Sequence, residues 1–505
     1  MDILTNLARL LLHYRVRAIR RYESNADSIQ RRALEKLVRQ AKDTQWGKEH
    51  GYAWIRSYED FASRVPVGDY ASLKAYILKM MEGEADVLWK GRVTRFVTSS
   101  GTTSDTVKFI PVSRQGLRHC HLRGGHDVTA MYLHGNRESH LARGFSLTLF
   151  GQLNSNYAAR GLQVGDISAI MASASPRFFR KLLHLIPSTD IARITDTRAK
   201  YDALADLISR KKMVAFSGSP LWNLIVLERA LEKTGAKTAE ELWPGMELFA
   251  HGGVFMHPYR RRLETLFPSG KLHYMECYNA SEGFFGIQTD LQDPAMTLML
   301  DYEVFYEFIP MSVYGRPDAR AVPLWEVELG VEYSMVVSTS SGLWRYDMGD
   351  IVRFTSKKPY RFVLTGRTLL TLDIWREDLS VEFAEKAMDE ACRRCGAQVK
   401  EFTVAPVFQE EDPTVGQHQW LVEFSKEPAD LQEFAITVDE ILQRDGQDYK
   451  DYRQRAGGLM PEFIRAHPGL FYDWLEAKGS FGGQHKIPRI LGNRQIMDQL
   501  LRMNT

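Results

Sequence analysis

The sequence predicts an α/β protein: a large N-terminal domain of mixed sheets and helices, residues 1–370, and a small mobile α+β domain, residues 371–505. Three observations predict it. From about 145 to 275, short β-rich runs alternate with helical stretches, as in βαβ units around a mostly parallel sheet. From about 320 to 370 the β-rich runs follow one another without helices between them. Beyond Asp373 the texture changes again, to helix, two strands and helix. A chain of 505 residues also exceeds what one ordinary core sustains.

In chain order, the first 45 residues read as helix. Leu4, Leu7, Leu10 and Leu11 recur at helical spacing and are expected to pack inward, with Arg15, Arg17, Arg20 and Arg21 on a solvated face. The other reading of such a basic amphipathic segment is a helix lying on a membrane. Connecting helices follow to about residue 90. Strands are expected at 93–97 and 109–112, then a helix over 114–133 capped by Ser113. Its His119, His121 and His126 do not converge on one face and are no metal set. Further strands are read at 145–150, 213–218 and 247–250, with helices at 222–232 and 259–267 and a strand ending at Tyr278. The β-rich module carries strands at 324–329, 333–338, 351–354 and 360–364. The last region has a helix at 382–394, strands at 399–408 and 418–425, and a helix at 430–443.

Composition narrows the function classes. Lys plus Arg number 65 against 63 Asp plus Glu, so net charge gives no case for nucleic acid as main partner. No run of about 18 apolar residues suggests a membrane span, and Asp2 and Arg9 do not fit a signal peptide. Four cysteines in so long a chain argue for a reducing compartment, taken as the cytoplasm. Cys392 and Cys395 read as two residues on one helix turn rather than a zinc half-site.

Four stretches carry chemistry. Ser99, Ser100, Gly101, Thr102 and Thr103 lead through Ser104 to Lys108. Small side chains leave backbone N–H groups open to an anion, hydroxyls add donors, and Lys adds a point charge for phosphate. The same residues would also make a hairpin turn. Ala280, Ser281 and Glu282 follow Tyr278 at a strand end, where a carboxylate suits nucleotide-bound Mg2+ or simply faces water. Asp350 can accept ribose hydroxyls, with Arg367 next to Gly366 in the same site, or Gly349-Asp350 is only a turn. Lys486 sits on a glycine-rich loop from which it could reach a phosphate.

In this order, residues 99–108, 278–282, 345–350 and 482–489 resemble the plant auxin-responsive acyl acid–amido synthetases. These are the Gretchen Hagen family, within the acyl-adenylate-forming (ANL, luciferase-like) superfamily. The likeness runs through nearly the whole chain, and Gly482-Gly483-Gln484-His485-Lys486-Ile487-Pro488-Arg489 is its most specific segment. Ser104 departs from a loop Gly, and Asp347 stands where plant members usually have Arg. The chain is shorter than plant members and resembles a bacterial-type relative.

The resemblance implies a large ANL-type domain and a small lid. It also implies a two-step ligase: ATP adenylates a carboxylic acid, and an amino acid amine then takes the acyl group. Residues 99–103 and Lys108 would grip phosphates, Tyr278 would lie against adenine, and Glu282 would hold Mg2+. The lid would rotate about Asp373 to deliver and withdraw Lys486. An acyl-CoA ligase and a nucleotide-binding protein without catalysis are the alternatives. The expected partners are small molecules, with no nucleic acid and no membrane span, acting on a monomer.

Overall fold

A computed structural model describes all residues except 1–2, 100–107, 176–184, 187–190, 192–193, 195–196, 253–255, 317, 368–370, 373–378, 409–415, 456–457, 479–486, 492–493 and 505. The chain forms two compact units, one of residues 1–101, 106–348 and 352–364, the other chiefly of 349–351 and 365–505.

The first unit opens with two helices, α1 (Ile3–Arg20) and α2 (Tyr22–Ala41). The inward face of α1 is Ala8, Leu12, Val16 and Ile19, with Arg15 among them. The leucines expected inside, Leu4, Leu7, Leu10 and Leu11, are outside. An ion pair decides the orientation. The Arg15 guanidinium donates to Asp127 at 2.8 Å and to Asp301 at 2.7 Å, and Tyr302 donates to Asp127 at 2.7 Å. Rolling α1 over would strand a fully buried carboxylate, a loss of about 3–5 kcal/mol.

Strands β1 (Arg95–Ser99), β2 (Lys108–Pro111) and β4 (Gln163–Gly165) make a small sheet in the order β2-β1-β4. A twelve-stranded sheet dominates the unit. Its parallel part runs β5-β3-β6-β7-β8, from β3 (Phe145–Thr148), β5 (Leu185–Ile186), β6 (Met213–Gly218), β7 (Leu248–His251) and β8 (His273–Asn279). Helices Pro220–Thr234 and His257–Leu266 make crossovers between its strands. Met213, Val214, Ala215 and Phe216 are all buried, as a strand covered on both faces requires.

The parallel part is the one expected over 145–275, and beyond it the sheet is mixed. From β8 it continues through β9 (Phe284–Ile287), β10 (Met296–Leu298), β15 (Tyr360–Arg367), β14 (Tyr346–Lys357), β13 (Glu332–Thr339), β11 (Val304–Pro310) and β12 (Val322–Pro323). Its β8–β9 and β9–β10 pairings are antiparallel, because short connections replace the crossover helices, and β15 joins β10 antiparallel after the chain has passed through β11–β14. The strand expected over 324–329 is instead a 3-10 turn at Leu324–Glu326 after Pro323. It seats Trp325 against Tyr58, with the Arg31 guanidinium 3.9 Å above the ring.

The second unit has a short β16 (Thr371–Leu372) and β17 (Leu379–Ser380) pair, then helix Val381–Cys395. Ser380 caps that helix and Gly396 closes it with φ 64°, a left-handed turn that suits glycine. Its sheet orders β18 (Gln398–Phe408), β19 (Gly416–Lys426) and β20 (Glu462–Arg465), backed by helix Leu431–Asp445. All four cysteines are free thiols. Among the described residues, no helix is long and apolar enough to cross a membrane.

Candidate functional site

Ser99 and Lys108 are the last paired residues of the β1–β2 hairpin, so the two ends of the Ser/Thr-rich loop stand side by side. Ser100, Gly101, Thr102, Thr103 and Ser104 lie outside the described residues, as does the side chain of Ser99. The root of the loop is held by Tyr70, whose hydroxyl accepts from the Phe109 N–H at 3.0 Å. Lys108 Nζ lies 5.9 Å from the centre of the same ring. Asp69 caps the helix Tyr70–Glu82 by accepting from the N–H groups of Ala71 and Ser72.

The turn between β8 and β9 carries Ala280, Ser281 and Glu282, closed by Ala280 N–H donating to Gly283 O at 2.8 Å. Ser281 is buried and Glu282 half-buried. A π turn, Leu117–His121, clamps this turn from both strands before helix Leu122–Gly135 begins. The Phe284 N–H donates to Cys120 Sγ at 3.1 Å, and His121 Nδ1 lies 3.4 Å from Asn279 Oδ1. Burial drives the His121 imidazole down to about 4 and the Cys120 thiol up to about 12, so both are neutral. Gly124 lets the helix close on Phe284, whose ring would meet an added Cβ at 2.2 Å. Single-turn π-bulges occur frequently at functional sites. Neither Cys120 nor the contact of His121 has a local signal in the sequence, because their partners Phe284 and Asn279 are about 160 residues away.

The start of β14 lies against the Gly68 loop, through Asp347 N–H to Gly68 O at 2.8 Å and Gly68 N–H to Arg345 O at 3.1 Å. Arg345 is structural. It has a φ of 42° and donates to Glu307 at 2.7 Å and to the carbonyls of Ala62 and Val65. Asp347, the residue that departs from the plant pattern, accepts from Ser334 Oγ at 2.6 Å and Tyr314 OH at 2.8 Å. Tyr346 between them is buried. Burial raises its phenol, and the charges of Glu282, Asp69 and Asp347, with Tyr70, raise it further. Asp350 is buried on the same strand, one residue after Gly349 at φ 67°, so the pair is in β14 and not at a hairpin turn.

The carboxyl ends of β6, β7 and β8 are the edge at which such sheets bind ligands. There the backbone leaves no room at Gly252, where a Cβ would meet Cys277 O at 2.1 Å. His251 is buried, with no hydrogen-bond partner for Nδ1 among the described residues, and burial takes it down to about 4. Tyr278 is buried edge-on to Phe285 and Phe362. A cavity of about 500 Å³ opens elsewhere, near the amino end of β8 beside His273, Met131 and Arg361, and contains none of the candidate residues.

In the second unit, Lys486 lies outside the described residues, and so do Asp373 and the side chain of Arg367. The segment just after Lys486 is fixed. Arg489 is buried and donates to Glu385 at 3.2 Å, to Glu401, and to Phe402 O at 3.1 Å. Thr403 Oγ1 donates to Pro488 O at 2.6 Å, and Val404 N–H to Arg489 O at 2.9 Å. Burial raises Glu385 to about 7, with Arg489 opposing and Glu401 reinforcing the shift.

Among the described residues, no group of three His, Cys, Asp or Glu could hold a metal alone. Mg2+ is ordinarily bound through one or two carboxylates, with waters and substrate phosphates completing the shell. A half-buried Glu282 at a strand-end turn fits that donor set as the protein's carboxylate.

Three family models match in sequence order: the GH3 family N-terminal domain over residues 15–226, the central domain over 297–367 and the C-terminal domain over 382–495. An indole-3-acetic acid-amido synthetase, GH3.4 of Arabidopsis thaliana, is 24% identical over 561 residues, covering 94% of this chain and 91% of the relative. The structure of AtGH3.15 acyl acid amido synthetase in complex with 2,4-DB superposes with a TM-score of 0.80 at 20% identity, covering 97% of this chain and 95% of that one. A 2-hydroxyisobutyryl-CoA ligase in its postadenylation state gives 0.62 at 13% identity, covering 94% and 91%.

Proposed function

The chain belongs to the GH3 family, and from that premise we propose that it is an ATP-dependent acyl acid–amido synthetase. In the first step a carboxylate oxygen of the acid attacks the α-phosphorus of ATP, and pyrophosphate leaves. In the second the amine nitrogen of an amino acid attacks the acyl carbon, the C–O bond to AMP breaks, and the amine gives up a proton. The observation that carries this reading is the match of the N-terminal, central and C-terminal GH3 domain models in sequence order; the hairpin root at Lys108 and Tyr70 and the clamped Ala280–Glu282 turn, both in the first unit, support it.

Residues 99–103 and Lys108 take the phosphates through backbone N–H, hydroxyl and ammonium groups. Glu282 with Ala280 and Ser281 forms the turn that would hold Mg2+, whose charge, when bound, offsets that of the phosphates. Tyr278 marks the adenine side, and His251 offers an unsatisfied ring nitrogen at the neighbouring strand end. Asp350 and Arg367 hold the ribose. The 371–505 domain acts as a lid. Lys486 leaves the anchored Pro488–Arg489 root and meets the charge that develops on the α-phosphate. ATP, Mg2+ and reduced thiols together suit the cytoplasm, and nothing in the chemistry requires more than a monomer.

Carboxylate-dependent ATP–pyrophosphate exchange over a panel of aryl, indole and fatty acids tests the first step. Exchange with none of them, in folded protein, would leave a nucleotide-binding protein without catalysis. Amide formation from an amino acid, rather than thioester formation from coenzyme A, is the expected second step. Thioester alone would make the protein an acyl-CoA ligase.

A further inference from the structure

The outward face of α1 is apolar. Ile3, Leu4, Leu7, Leu10, Leu11 and Tyr14 are 46% to 83% exposed. At about 3.6 residues per turn they fall in a single arc, separate from the arc of Ala8, Leu12, Val16 and Ile19 that packs inward. Other exposed large apolar side chains, such as Trp54, Leu78 and Ile436, stand one to an element. Single exposed apolar residues are ordinary, but a contiguous patch marks an interaction surface.

The helix cannot turn over to hide this face. Arg15 holds Asp127 and Asp301, and Arg9 donates to the carbonyls of Leu133, Asn136 and Arg137 at 2.9, 3.2 and 3.1 Å. Thr5 Oγ1 accepts from the Ala142 N–H at 3.2 Å. The stripe is therefore presented rigidly.

Its charge is one-sided. No Asp or Glu occurs from Ile3 to Tyr22, and the exposed Arg17, Arg20 and Arg21 follow the apolar stripe. Arg20 contacts His134 Nε2 at 2.8 Å, which supplies no negative charge. A second α1 laid against the first would supply no carboxylate to these arginines. A layer of anionic headgroups would, and it would also receive the leucines.

We infer that α1 docks the protein peripherally on an anionic lipid surface, with Leu7, Leu10 and Leu11 at the acyl boundary and Arg17, Arg20 and Arg21 among the headgroup phosphates. A helix with Leu on one side and Arg beside it, too polar to span, lies in the interface plane in this way.

The test is sedimentation of the full chain with phosphatidylcholine vesicles, with and without phosphatidylglycerol. Binding is expected to the anionic vesicles and to weaken with salt. Each Arg near the surface is worth roughly fivefold in affinity, so Gln at Arg17, Arg20 and Arg21 together should cost about a hundredfold. Leu7→Glu with Leu10→Glu should abolish binding while melting temperature and pyrophosphate exchange stay as in the unaltered protein. Failure to bind anionic vesicles would overturn the inference, as would binding that survives the double Leu variant. So would a dimer, seen by light scattering, that the double Leu variant splits, since that would make the face a protein interface. Vesicle binding is read without catalysis, so its failure leaves the ligase reading untouched.

Discussion

The two loops on which the proposed chemistry depends are rooted differently. The Glu282 turn of the first unit is held by neutral groups, namely a thiol, an imidazole that burial keeps uncharged, and backbone amides. The root of the Lys486 loop in the second unit is held by a buried guanidinium between two carboxylates. Neutral contacts are individually small and indifferent to pH. A buried ion network is costly to interrupt and must keep account of protons. A binding turn can thus be tuned gently, whereas a root built on a buried ion network is fixed or lost.

The largest expected effect breaks the charged root. Arg489→Ala should leave Glu385 and Glu401 facing each other, destabilising the second unit by about 3–5 kcal/mol. Denaturant unfolding of that unit measures it, and a loss under 1 kcal/mol would remove the contrast. Next comes Lys486→Ala, expected to lower pyrophosphate exchange about 10²–10³-fold, the scale of one transition-state donor. Amide formation from ready-made acyl-AMP should survive; equal loss in both steps would end the moving-lid account but not the ligase.

Asp350→Ala removes a charge-assisted acceptor and should weaken nucleotide binding by about 1.5–3 kcal/mol. Unchanged affinity in folded protein would take Asp350 off the ribose. On the neutral side, Cys120→Ala removes one weak acceptor from the Phe284 N–H, and about 1 kcal/mol is expected. It should appear as a raised Mg2+ requirement rather than as lost fold. If Glu282→Gln leaves Mg2+ dependence unchanged, the turn is not the metal's.

The smallest effect concerns pH. The folded state raises Glu385 to about 7 from an ordinary value of 4.5, chiefly by burial. The folded unit therefore keeps a proton that the unfolded chain has released. Stability from this group is full below the ordinary value and is lost as pH rises through about 7. Between pH 6 and 8 the loss should be about 1 kcal/mol. Glu385→Gln should flatten that part of the profile; an unchanged slope would move the titration elsewhere. The turn around Cys120 and His121 should show no change over the same range.

Much of this was legible in the sequence, for local reasons. Ser113, Ser380 and Gly396 cap their helices with their own side chains or backbone freedom. The runs at 213–218, 399–408 and 418–425 are apolar enough to become buried strands wherever they are placed. The motif segments could be read as a family signature because their residue types stand at close spacing in a fixed order, and the GH3 models match across residues 99–108, 345–350 and 482–489.

Other features had no local signal. The leucines of α1 satisfy helical periodicity on either face, and distant partners set which face went in: Asp127 and Asp301 claim Arg15, and the carbonyls of Leu133, Asn136 and Arg137 take Arg9. Cys120 and His121 became a clamp only when β8 and β9 folded onto the π turn. The sheet became mixed because short turns connect the strands after β8, and pairing direction depends on connection and neighbours as much as on composition. The sequence by itself determined where elements form, since caps, periods and turn residues act within a few positions. The tertiary structure alone decided which face, which partner and which charge state each side chain has, because burial and ion pairing join residues more than a hundred positions apart.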